Sequence, residues 1–165
     1  MTLWLLVPFL ALAAIVQTAW LPLLSVFGYK VDLALVLVVL WGLVGPIGQA
    51  AQWGFIVGIF LDLTSGLPFG LHTLALTVIG FLVGWSQTTF FRGNIITPPA
   101  TLMAATLSYN VLILAFLSLF GWRIVWQDYL LRVTLPTAIL NAVVAPLAYF
   151  PLQWLQRRLY PRMEL

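Results

Sequence analysis

The chain has 165 residues, of which 63% are hydrophobic and only 7% charged, with a mean hydropathy of +1.09. A soluble domain carries about 25% charged residues, so this is the composition of an integral membrane protein. It contains no cysteine, which removes disulfides, thiolate chemistry and thiolate metal ligands, and its seven Lys and Arg are scattered, so they read as loop charges of the positive-inside kind and not as a nucleic-acid patch.

The charges divide the sequence. They fall at Lys30 and Asp32, then Asp62, Arg92 and Arg123, and leave residues 1–29, 33–61, 63–91 and 93–122 free of charged side chains. A crossing helix needs about 20 residues, so each gap holds one crossing and a turn, or two short helices. The first gap predicts a helix over 3–27, with Pro8 in its opening turns and Pro22 kinking or shortening its far end. The apolar run continues past Ala11-Leu12-Ala13, which favours an uncleaved membrane helix over a signal peptide.

The second gap is apolar and β-branched up to Val44, then reads Gly45-Pro46-Ile47-Gly48. As one helix, residues 33–61 would be about 43 Å long, well over a hydrocarbon core of about 30 Å. The Gly-Pro-x-Gly turn signal therefore predicts two short helices, 33–44 and 47–61. The third gap opens with Gly66 and Gly70 around Pro68, a tight turn, and continues as a helix over 70–87 with His72 near its start. Residues 88–99 read as a polar loop ending in Pro98-Pro99, and a fifth helix spans 100–120. Trp122, Arg123, Trp126, Asp128, Tyr129 and Arg132 form an interfacial belt, read as a short helix on the membrane surface. The last helix, 133–155, is expected to break or kink near Pro136, Pro146 and Pro151, and the tail 156–165 is basic through Arg157, Arg158 and Arg162. The expectation is an all-α integral membrane protein, one transmembrane domain over 1–165, with six helices of which the second and third are short.

The charge count tests that topology. Six crossings put Arg92, Arg157, Arg158 and Arg162 on one side, against Lys30, Arg123 and Arg132 on the other. Five crossings would gather Lys30, Arg92 and the tail, five against two, which the positive-inside rule prefers. Turn chemistry and length prefer six. Both leave the C-terminus in the cytoplasm, and the side taken by Met1 separates them.

The densest local signal runs from Gly54 to Gly70, G-F-I-V-G-I-F-L-D-L-T-S-G-L-P-F-G. A carboxylate in so apolar a run is by default a functional-site hypothesis. The alternative is that Asp62 marks a membrane boundary, facing water or capping the next helix. Gly54 and Gly58, and again Gly80 and Gly84, form G-x-x-x-G pairs, which let another helix backbone approach closely, either within the chain or from a partner. An aspartyl dyad of Asp32 and Asp62 would need a shared proton, and both residues sit in turn chemistry at predicted helix ends. Asp62 with His72 lacks a nucleophile; Thr64 and Ser65 read as caps for the fourth helix. One His and no Cys make a metal site improbable. No cofactor is expected. A ligand pocket would have to draw on Gln49, Gln52, Asp62, His72, Gln87, Asn110 and Asn141, most of which suit helix–helix hydrogen bonds equally well.

Lys30-Val31-Asp32-Leu33, the apolar segment after it and the Gly54–Gly70 stretch together resemble the rod shape-determining protein MreD family. The matching positions are Asp32, Gly54, Gly58, Asp62, Gly66 and Gly70; Val31 stands where the family usually has Pro, and no basic residue follows the second helix between Gly45 and Gln49. The resemblance implies a six-helix fold similar to the substrate-binding S-components of energy-coupling-factor transporters. It also implies a non-catalytic scaffold in the inner membrane of rod-shaped bacteria, with both termini cytoplasmic. Implied partners are MreC, through its transmembrane helix and juxtamembrane segment, a second copy of the chain, and indirectly MreB, RodA and its penicillin-binding partner. Arg157, Arg158 and Arg162 would face anionic lipid or the cytoplasm. The competing reading is a vitamin-binding S-component.

Overall fold

The structure, a computed structural model, describes residues 3–19, 29–46, 48–89 and 97–159. Over these residues the chain is all-helical: α1 (Leu3–Ala19), α2 (Leu33–Val44), α3 (Gln49–Ser65), α4 (Leu71–Thr89), α5 (Thr97–Leu119), α6 (Trp126–Tyr129), a π-helical turn (Leu130–Thr134) and α7 (Leu135–Leu159). The second half of the predicted first helix, from residue 20, lies outside the described residues.

α2 sits at the centre. Its sequence, LALVLVVLWGLV, is apolar on every side, which is the pattern of a helix surrounded by others. Eight of its 12 residues are buried, and it packs against α1, α3, α4, α5 and α7. The Gly45–Gly48 turn then reverses the chain: the Gly45 N–H donates to the Trp41 carbonyl, and the Trp41 indole N–H donates to Gln49 Oε1 at 3.2 Å. The Trp41 ring stacks on Trp53 with centroids 4.3 Å apart, so the two short helices are joined through aromatic contact as well as through the turn.

α3 and α4 form the tightest pair. A Cβ on Gly54 would overlap the Leu76 carbonyl, one on Gly58 would overlap the Thr73 backbone, and one on Gly80 would sit 2.5 Å from the Ala50 carbonyl oxygen. The two backbones therefore touch along an antiparallel seam that only glycine allows. Gly84 differs, since its nearest neighbour would be 3.8 Å away.

Three boundaries depart from the sequence reading. α3 does not stop at Leu61 but continues to Ser65, because the terminator is Gly66 in the left-handed region at φ 68°. α5 begins at Thr97, with Pro98 and Pro99 inside its first turn, where a missing N–H costs nothing. The belt is not a separate surface helix: α6, the π turn and α7 run on as one rod, Trp126–Arg158. No break occurs at Pro146 or Pro151. At Pro136 the chain has no N–H for the carbonyl four residues earlier, and the ladder widens just before it, the Leu135 N–H donating to Leu130 five residues back.

The rod and α5 are each long and apolar enough to cross a membrane. Ile139, Val143, Leu147, Phe150 and Trp154 make one exposed stripe along α7, and Leu74, Val78, Phe81, Leu82 and Trp85 make another along α4. Acyl chains are the natural cover for both.

Candidate functional site

The polar side chains gather where α1 ends, α2 and α4 begin and α3 ends. Helix α4 starts after Gly70, which has φ 98° and no side chain to serve as a cap. Asp62, reaching across from the last turn of α3, does that work. Its Oδ2 accepts from the backbone N–H of Gly70 at 3.0 Å, the N–H of Thr73 at 3.0 Å and the Thr73 hydroxyl at 2.6 Å. Oδ1 accepts from the N–H of His72 at 2.8 Å. The carboxylate is buried, with 5% of the residue exposed, and four donors plus the positive end of α4 compensate its charge. Thr64 and Ser65 do not cap α4. The Thr64 hydroxyl donates back to Phe60 and Leu61, and Ser65 Oγ accepts from the Leu67 N–H.

Asp32 caps α2 from its own position. Its Oδ1 accepts from the Leu35 N–H at 3.1 Å and from Gln17 Nε2 at 2.9 Å, while Gln17 Oε1 accepts from the Ala34 N–H. The Asp32 N–H donates to Asn141 Oδ1 at 3.0 Å, Asn141 Nδ2 donates to Thr106 Oγ1 at 3.1 Å, and that hydroxyl donates to the Leu102 carbonyl. One polar chain thus ties α1, α2, α7 and α5. Next to it, His72 Nδ1 and the Tyr109 hydroxyl lie 2.6 Å apart and join α4 to α5.

No hydrogen bond joins the two carboxylates; each has its own donors. This is the chemistry of helix capping and cross-linking, with no proton shared between acids. Among the described residues, no three His, Cys, Asp or Glu side chains gather where they could hold a metal ion. The polar residues from which a ligand pocket would be built are largely engaged. Gln49 accepts from Trp41, Asn110 donates to the Thr106 carbonyl, Asn141 and Asp62 bond as above, and Gln52 is exposed on the surface. The side chain of Gln87 lies outside the described residues.

The glycine motif is placed within the chain: Gly54, Gly58 and Gly80 face the α3–α4 seam, Gly66 ends α3, and Gly70 opens α4. Arg157 and Arg158 are exposed at the end of α7, the Arg158 guanidinium 5.1 Å above the Trp154 ring. Arg162 lies outside the described residues. Sequence reasoning did not single out Gln17, Thr106 and Tyr109. Their signal was there, as polar side chains inside otherwise apolar helices.

A family model for the rod shape-determining protein MreD matches residues 1–159. The chain belongs to the MreD family. It is accordingly a membrane protein of a family that determines cell shape. No curated protein and no solved structure matches it. In this MreD chain the two motif carboxylates, Asp32 and Asp62, hold the starts of α2 and α4 at the same end of the bundle.

Proposed function

We propose that the chain is a non-catalytic scaffold of the cell-elongation machinery in the bacterial inner membrane. It binds the single-pass protein MreC and so helps maintain rod shape and lateral peptidoglycan synthesis. MreB, RodA and its penicillin-binding partner associate indirectly, and Arg157, Arg158 and Arg162 rest near anionic headgroups on the cytoplasmic side. The family match over residues 1–159 carries this reading. It is supported by the use of the polar groups: the buried Asp62, Asn141 and Tyr109 are bonded to neighbouring helices, and the half-buried Asp32 caps α2. The vitamin-binding alternative would need several of those groups turned toward a ligand.

Partner docking needs a close-approach face that the bundle has not already used. Gly54, Gly58 and Gly80 are consumed by the α3–α4 seam. On α5, Ala100, Ala104 and Ser108 recur every four residues and are exposed, a small-residue pattern that admits a second backbone. Ala104→Leu is therefore the informative variant, because it fills that face without touching the interior. MreC should co-purify with the wild-type chain and be recovered several-fold less with Ala104→Leu, at unchanged thermal stability. Undiminished recovery removes this face from the reading, and no recovery with the wild-type chain removes MreC binding itself.

A further inference from the structure

The rod Trp126–Arg158 has 33 residues, about 50 Å at 1.5 Å per residue, whereas the hydrocarbon core is about 30 Å thick. Tilt does not absorb the excess: at about 40°, the upper end of the usual range, the rod still spans about 38 Å along the membrane normal. Arg157 and Arg158, with Trp154 beside them, fix one end at an interface. Counting back from there, the core is crossed by about residue 137 if the rod is upright, and by about residue 131 at the steepest tilt. α6 and the loop before it stand outside the hydrocarbon. The Arg132–Asp128 pair agrees with that position, since its side chains are 81% and 65% exposed and charges this open belong in water or among headgroups.

The tip is well built. The Trp122 N–H donates to the Leu117 carbonyl and the Gly121 N–H to that of Ser118, with Gly121 at φ 81°, which closes α5 in a Schellman motif. The Trp126 indole N–H donates to Ser118 Oγ and fastens the loop to α5. Yet this fixed tip exposes Leu119 (81%), Phe120, Trp122 and Val125 (65%). Apolar surface held rigidly beyond the reach of acyl chains marks a binding surface. Asp128 is taken by Arg132, and Arg123 makes no ion pair among the described residues. The ridge therefore offers apolar area with one uncompensated positive charge. It starts at the membrane surface, so its occupant is best delivered by a membrane anchor.

We propose that the ridge Leu119–Trp126 is the docking surface for the extracytoplasmic juxtamembrane segment of a single-pass membrane partner, a segment with an apolar face and a carboxylate for Arg123. This rests on the scaffold reading above and names the surface it uses. The cysteine-free chain allows a direct test. Bimane is attached at Val125→Cys or, as a mid-rod control, at Leu147→Cys in nanodiscs. Without partner, iodide should quench position 125 and lipid-borne doxyl groups position 147. Adding the MreC fragment that comprises its transmembrane helix and juxtamembrane segment should reduce iodide quenching at 125 about twofold or more, and Arg123→Glu should restore it. Doxyl quenching at 125 would mean that lipid covers the ridge and would overturn the proposal. Binding of the fragment with unchanged quenching at 125 overturns the surface and leaves the partner intact. Absence of any binding overturns the scaffold reading itself.

Discussion

Two carboxylates in one membrane protein invite comparison, and here the difference lies in how many oxygens each uses. Asp62 employs both, Oδ2 with three donors and Oδ1 with one. Among the described residues, Asp32 accepts on Oδ1 alone, from Gln17 and Leu35. Asparagine keeps one oxygen and replaces the other with a donor, so at Asp32 it retains the cap and the bond to Gln17, and Asn is as good an N-cap as Asp. At Asp62 the amide nitrogen must face a backbone N–H whichever way it turns, which orphans a buried donor and weakens the match to the dipole of α4, at about 2–3 kcal/mol. Thermal unfolding in detergent should then show Asp62→Asn lower by about 5–10 °C and Asp32→Asn within about 2 °C of wild type. Equal losses at the two positions would discard this account of the caps. Sequence alone left Asp62 between a functional site and a boundary cap. It is a cap, but a buried one acting across two helices. That is invisible in one dimension, because the donors lie 8–11 residues further along the chain.

At the scale of elements, what was legible depended on symmetry. α2 was legible as a short apolar helix but not as the central one, since apolar residues on every side suit lipid as well as neighbouring helices. The G-x-x-x-G pairs announced close approach but not the approaching partner, because a small-residue face reads the same toward its own chain or another. The rod was misread as two pieces for a physical reason. Proline forbids one hydrogen bond, yet the ladder widens into a π turn just before it, the Leu135 N–H on the Leu130 carbonyl, and the helix continues. The seam itself makes a graded prediction. Gly→Ala in a helix interior gains about 1 kcal/mol from propensity alone. At Gly84 nothing opposes that gain, whereas at Gly58 the new methyl overlaps the Thr73 backbone and must push two helices apart, at about 1–3 kcal/mol. Gly84→Ala should unfold at or above the wild-type temperature and Gly58→Ala below it. A stable Gly58→Ala chain would show that the seam is looser than its backbone contacts imply.

For the whole molecule the unresolved question was five crossings or six, and the turn after α2 explains why charge could not decide. A loop that emerges into the cytoplasm is where a basic residue is expected. Around the α2–α3 turn Gly45 is buried, Pro46 and Gly48 are half-buried, and Trp41 is bonded to Gln49. Only the four residues 45–48 separate α2 from α3, so the turn offers few positions at which a basic residue could stand. The side chains also fix which helix ends lie together. Gln17 near the end of α1 meets Asp32 at the start of α2, and Asp62 near the end of α3 meets the start of α4. The α1 start and the α7 end therefore share the opposite end of the bundle. Impermeant maleimide should label Arg157→Cys and a cysteine placed ahead of Met1 in inverted vesicles only, and Arg123→Cys in spheroplasts only. If the N-terminal cysteine labels with position 123 instead, α2 and α3 together make one crossing, and the charge count was the better guide.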